Sequence, residues 1–251
     1  MFDLSGRVAV VTGGNGGIGL GIARGLAQAG AAIAIWARDA AKSEAAVKEL
    51  EGLGVRALAL PCDVGDEAQV VGAVEQTVAA LGRIDIGVAN AGFSAVAAFL
   101  ETRLEDWREV TRVDLDGVFL TFREIARHVV ARGGGGKLIA ISSIGEIYGM
   151  PKQEAYAASK GGVGTLVRSL AVELARHDIQ VNAVQPGWIA TEPLKPLMAW
   201  KVFNDTILHR TPARRWGTPE DIAGACVYLA SDAARFHTGD TLRIDGGYAV
   251  F

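Results

Sequence analysis

The chain has 251 residues, half of them hydrophobic and 21% charged, with a formal net charge of −3. That composition describes a globular protein with a large apolar core, and the near balance of charge argues against a nucleic-acid binder, which carries a basic stripe. No apolar run reaches the ~18 residues of a membrane span, and Met1–Arg7 lacks the charged and apolar regions of a secretory leader.

In chain order, short β-branched runs alternate with longer helical patterns. Arg7–Val11 reads as a buried strand and Ile18–Ala29 as a helix closed by Gly30. Ala32–Trp36 is a second strand, Ala40–Leu53 a helix and Val55–Leu60 a third strand. Asp66–Leu81 is a helix, Ile84–Val88 a strand, and Leu104–Ala131 one long helical region ending in the turn Gly133–Gly136. Lys137–Ile141 is a strand, Glu154–Arg176 a helix, Ile179–Val184 a strand, Pro219–Ala230 a helix and Thr241–Ile244 a last short strand. Continuous apolar strands are buried on both faces. Repeated β-α-β units with short connections therefore predict an α/β fold: a doubly wound, Rossmann-like parallel sheet of about seven strands with helices on both faces. No linker divides residues 1–251, which reads as one dinucleotide-binding and catalytic domain. The least regular stretch, 188–216, is expected to be a substrate loop, because long irregular segments in compact domains are usually functional.

Cys62 and Cys226 form no C-x-x-C pair, which fits a reducing cytoplasm. His128, His177, His209 and His237 show no metal-ligand spacing, so no metal is expected.

Thr12-Gly-Gly-Asn-Gly-Gly-Ile-Gly19 joins the first strand to the first helix. Gly14, Gly16 and Gly19 satisfy G-x-G-x-x-G, while Gly13, Gly17 and Gly19 satisfy G-x-x-x-G-x-G. Such glycines let the backbone approach a pyrophosphate held at a helix N-terminus. Past the second strand, an acid would bind the adenosine ribose and an arginine a 2′-phosphate. Asp39 lies 20 residues after Gly19 and could be that acid, but it also stands where a helix cap belongs. Arg38 is the favoured phosphate partner, with a solvated arginine as the alternative.

Tyr156 and Lys160 lie four apart, on one face of a helix. A free phenol titrates near 10. A neighbouring ammonium and an oxidised nicotinamide both favour the phenolate, which suits proton exchange with a substrate oxygen. Ser142 and Ser143 end the preceding strand, at the edge where α/β sheets carry their sites. Alone, Y-x-x-x-K is an ordinary helix-surface pair.

Taken together, the sequence resembles the short-chain dehydrogenase/reductase family in its short single-domain form, over nearly its whole length. The resemblance rests on Thr12–Gly19, Asp63-Val64, Asn90-Ala91-Gly92, Ser143, Tyr156 and Lys160 at spacings of 13 and 4, Pro186-Gly187, Thr191, and Asp245-Gly246-Gly247. It implies that Tyr156 is the proton donor and acceptor, that Lys160 binds the nicotinamide ribose, and that Ser143 holds the reacting oxygen. Gly13, Asn15, Gly17, Ile18 and Gly19 would form the phosphate loop. Asp63 and Val64 would sit at the adenine, Asn90 and Gly92 near the ribose, and Pro186, Gly187, Ile189 and Thr191 around the nicotinamide. Arg38 implies a preference for NADP(H), with NAD(H) possible; the family's other basic marker is absent because Gly16 stands there. One departure is Asp114, in Val113-Asp-Leu-Asp-Gly117, where the family carries its catalytic asparagine. That asparagine acts mainly through its main-chain carbonyl, which Asp114 keeps, while the side-chain N–H₂ donor is lost.

Phe93, Tyr148, Met150, Trp188, Leu194, Leu197, Met198, Trp200 and Phe203 are candidates for an apolar substrate pocket, or for core and subunit contacts. Glu146 and Lys152 are candidates for binding hydroxyl or acidic groups. Three functions remain open. The first is oxidoreduction of a secondary alcohol or ketone on a small-molecule substrate, sugar-like and cyclic polyols included. The second is 3-oxoacyl thioester reduction, with Arg210, Arg214 and Arg215 meeting an acidic carrier. The third is a non-catalytic nucleotide-binding regulator. The resemblance also implies a homo-oligomer, a tetramer, with the apolar helix Val163–Ala175 as a candidate interface.

Overall fold

A computed structural model describes residues 1–251. Seven strands form one wholly parallel sheet: β1 (Val8–Thr12), β2 (Ala32–Ala37), β3 (Ala57–Pro61), β4 (Ile86–Ala89), β5 (Gly136–Ile141), β6 (Ile179–Pro186) and β7 (Thr241–Ile244). Their order is β3-β2-β1-β4-β5-β6-β7. The winding reverses between β1 and β4, which opens the crevice where such sheets bind ligands. Strand alternation sends Ala9, Val11, Ile33 and Ile35 to one face and Val8, Val10, Ala34 and Trp36 to the other.

The first face is covered by α1 (Gly17–Gln28), α2 (Ala40–Glu51) and α9 (Pro219–Ala230), the second by α3 (Glu67–Leu81), α5 (Gly117–Arg132) and α6 (Glu154–Leu174). Asp39 and Asp66 cap α2 and α3, accepting from Lys42 N at 3.0 Å and Gln69 N at 3.2 Å. The helix α1 crosses α9 at Gly21 and Gly25: a methyl at Gly25 would lie 2.8 Å from Ala223 Cβ, and one at Gly21 would collide with Pro219.

Two expectations need correcting. The single helix over 104–131 is α4 (Leu104–Thr111), a π-helical turn at Arg112–Asp116, and then α5. An apolar periodicity does not register one inserted residue, and such turns concentrate at functional sites. The stretch 188–216 contains α7 (Lys195–Ala199) and α8 (Lys201–Arg210), short helices whose pattern the prolines obscure. The apolar stripe of α6 packs Val163, Val167 and Ala171 into the core and leaves Val172 82% exposed on the outer side.

Candidate active site

The β1–α1 turn is shaped by the residues around it. Gly13 and Gly17 take φ of 63° and 51°, a region closed to most side chains. Asn90 ties the turn down, its Nδ2 donating to Thr12 O at 2.9 Å and Gly13 O at 3.4 Å. Thr12 Oγ1 in return accepts from the Asn90 and Ala91 N–H groups, both at 2.9 Å. The Asn90 amide therefore builds the cradle from behind. Asn15 reaches the other way, donating to Asp39 O and Ser43 Oγ. Unlike α2 and α3, α1 has no capping side chain, and its first turn carries no acid. Its first N–H groups and the positive end of its dipole therefore face the cradle unspent, which suits a pyrophosphate. Ile18 and Gly19 follow in the first turn of α1, and Thr191 lies over Gly17, its Cγ2 3.4 Å from where a Cβ would stand.

Beyond β2, Asp39 is the helix cap, and Arg38 is exposed at the carboxyl end of the strand, within the field of Asp63 and Glu109. Asp63 accepts from Arg112 at 3.2 and 2.9 Å and from Gly65 N at 3.0 Å. The Arg112 guanidinium is foremost in holding the Asp63 carboxyl below the usual carboxylate range. Sequence reasoning missed Arg112, because its partner lies 49 residues away with no shared motif. Beside Asp63, Val64 is buried and packs on Gly117, where a Cβ would lie 2.7 Å from Val64 Cγ2.

The proposed chemistry gathers at the carboxyl ends of β4, β5 and β6. Ser143 Oγ accepts from Gly145 N at 3.0 Å, which leaves its O–H free to donate. Tyr156 and Lys160 share a face of α6, with Nζ 5.4 Å from the phenol ring centroid. Lys160 is buried; Nζ donates to Ile141 O at 3.1 Å and lies 3.3 Å from Asp114 Oδ2. Asp114 is fully buried in the π turn, and its Oδ1 accepts from Phe93 N at 2.9 Å. Burial pushes this carboxyl up, against the opposing pull of Lys160 and the Phe93 N–H. Pro186 ends β6, Gly187 packs on Asp245, and Ile189 turns its side chain into the core beside Gly217.

Around this centre, Trp188 meets Phe203, Trp216 and Tyr248 edge-on, at centroid distances of 5.3, 5.8 and 6.4 Å. Ser94 Oγ donates to Gln153 Oε1 at 2.7 Å and joins the segment after β4 to the one before α6. Glu146 is not free for substrate: its Oε2 accepts from Ser142 Oγ at 2.7 Å and Gln185 Nε2 at 3.1 Å. Lys152 is exposed. The three loop arginines are also engaged. Arg210 lies over the rings of Tyr148 and Tyr248 at 4.9 and 4.4 Å, Arg214 donates to the carbonyls of Leu208 and His209, and Arg215 pairs with Asp221 at 2.8 Å. Burial pushes the Cys62 and Cys226 thiols up to about 12, so neither is a nucleophile.

The family model described as enoyl-(acyl carrier protein) reductase matches residues 13–249. The 5-keto-D-gluconate 5-reductase of Escherichia coli K12 is 40% identical over 250 residues, covering 100% of this chain and 98% of that one. The gluconate 5-dehydrogenase of Gluconobacter oxydans is 37% identical, covering 100% and 97%. The crystal structure of a gluconate 5-dehydrogenase from Burkholderia cenocepacia, in complex with NADP and tartrate, superposes with a TM-score of 0.95 at 41% identity, covering 100% and 98%.

Proposed function

Because the chain belongs to the short-chain dehydrogenase/reductase family, we propose that it is an NADP(H)-preferring oxidoreductase interconverting a secondary alcohol and a ketone on a small, sugar-like polyol. The carrying observation is the Tyr156–Lys160 face of α6, set beside Ser143 and an uncapped, glycine-lined helix N-terminus. The relatives named above act on gluconates, which supports the sugar-like class.

The residues present fit the cofactor. Gly13, Asn15, Gly17, Ile18 and Gly19 would hold the pyrophosphate, and Arg38 the 2′-phosphate, with NAD(H) the weaker ligand. Asp63, Val64 and Arg112 would border the adenine. Gly92 would line the ribose, with Asn90 bracing the loop, and Pro186, Gly187, Ile189 and Thr191 would flank the nicotinamide. When bound, the cofactor supplies or accepts the hydride. Tyr156 gives its proton to the carbonyl oxygen in reduction and takes it back in oxidation. Ser143 holds that oxygen through the O–H left free by Gly145. Lys160 has three N–H donors. One is spent on Ile141 O and one faces Asp114, so the third remains for the ribose. Residues 188–216 serve as the substrate loop of a single domain.

This reading extends to a homotetramer in the cytoplasm. Exposed Phe119, Val172 and Phe236 support association, and two buried free thiols fit a reducing compartment. Arg214 and Arg215 are hydrogen-bonded within the chain and Arg210 is stacked on two tyrosines, which weighs against an acidic carrier as partner. The Ser-Tyr-Lys set weighs against a non-catalytic role.

The test is NADPH consumption with 5-keto-D-gluconate, other keto-sugars, simple ketones and 3-oxoacyl thioesters. Keto-sugars should turn over fastest; turnover of thioesters alone would overturn the substrate class. Tyr156→Phe should lose ~10²–10⁴ in rate while still binding NADPH, and retention of most activity in single turnover would remove Tyr156 from its role.

A further inference from the structure

Lys160 reaches Tyr156 as half of an ion pair. Its Nζ lies 3.3 Å from Asp114 Oδ2, with the two side chains 4% and 0% exposed. Oδ1 is satisfied by Phe93 N, whereas Oδ2 has no aligned hydrogen-bond donor, so the ammonium alone balances it. A Cβ at Gly92 would fall 2.7 Å from Oδ2, so the loop after β4 encloses the carboxylate on that side. The other charged groups nearby are turned elsewhere. In the π turn, Arg112 serves Asp63 and Glu109, and Asp116 is exposed. Residues 90–96 carry no titratable side chain, and on this face α6 contributes Lys160 and, beyond it, Tyr156. Glu146 lies against α6 at Gly164, one turn past Lys160, with its carboxylate held by Ser142 and Gln185. On α4, Glu105 and Arg108 are exposed, Asp106 pairs with Arg103 and Glu109 with Arg112.

We propose that Asp114 is a positioning residue whose carboxylate neutralises Lys160, keeps the Tyr156 phenol protonated to higher pH, and so sets this enzyme as a proton donor for ketone reduction at neutral pH. The proposal rests on reading Tyr156 and Lys160 as the proton-transfer pair. With Asp114 present, losing the phenolic proton takes the trio of half-buried Tyr156 and the buried Lys160 and Asp114 from net neutral to net negative. With asparagine there, the same loss takes it from net positive to neutral. Uncompensated charge is costly in a water-poor site, so the first change needs the higher pH. In reduction the Tyr156 O–H bond breaks and its proton goes to the carbonyl oxygen. The carbonyl carbon receives the hydride from NADPH, giving alcohol and NADP⁺, and the tyrosinate is reprotonated from solvent by way of Lys160. A phenol that stays protonated favours this direction over oxidation.

The test uses the protein without substrate or cofactor and follows the ultraviolet absorbance of tyrosinate against pH. The chain has four tyrosines, and subtracting the Tyr156→Phe titration isolates Tyr156. Asp114→Asn should bring that signal on about one pH unit lower, because Lys160 then faces the phenol without its counter-charge. Asp114→Ser should do the same, which shows that lost charge and not a gained N–H₂ is the cause. A tyrosinate midpoint that is unchanged or raised in both variants overturns the inference, whatever Tyr156→Phe does to turnover. Full turnover by Tyr156→Phe overturns the reading beneath it.

Discussion

Arg38 and Asp39 are adjacent and have opposite uses. Asp39 is spent on the α2 cap, whereas Arg38 stands exposed at the end of β2, free for the 2′-phosphate proposed above. A charge-assisted contact of this kind contributes about 1.5–3 kcal/mol. Arg38→Ala should therefore weaken NADPH binding roughly tenfold or more and leave NADH binding nearly unchanged. Titrating both cofactors into both proteins measures this, and an NADH preference in the wild type would oppose it. The reading was possible at this scale because the loop glycines, Ser143, Tyr156 and Lys160 sit in local patterns. Arg112 and Glu146 were not legible as partners of Asp63 and Ser142, because nothing in their neighbourhoods announces a contact that only the fold creates.

Among the elements, the strands and most helices were visible as apolar runs and periodicities, with boundaries a residue or two adrift. The π turn was hidden, yet it is the feature that buries Asp114 against Lys160. The contact between α1 and α9 was equally hidden, since glycines in a helix read as breaks until the opposing surface is known. It gives a paired expectation. Glycine to alanine in an exposed helix interior stabilises by roughly 1 kcal/mol. Gly224 of α9 faces open space, so Gly224→Ala should raise the melting temperature. Gly21→Ala should lower it instead, because the new methyl collides with Pro219 and overpacking costs about 1–3 kcal/mol. Thermal melts of the two variants should move in opposite directions; a parallel rise would show that the two helices can part freely.

For the whole molecule, the inward stripe of α6 leaves a smaller set of apolar side chains for subunit contacts. Phe119 on α5, Val172 on the outer side of α6, and Phe236 with Val250 and Phe251 near the C-terminus remain exposed. Closed symmetric assemblies bury such patches against themselves. Light scattering at micromolar concentration should report a tetramer, and Val172→Glu or Phe119→Glu should shift it toward smaller species. A wild-type monomer would refute this. The seat of α9 on α1 also bears on how the chain comes into being. The helix that follows the glycine-rich turn is completed by one made almost last, from the opposite end of the sequence. Long-range contacts of this kind are slow to form, and chains emerge from the N-terminus at a finite rate. During synthesis the N-terminal β-α-β units must therefore wait with an apolar groove uncovered, and a chain truncated before Pro219 would keep it open to aggregation or to chaperones.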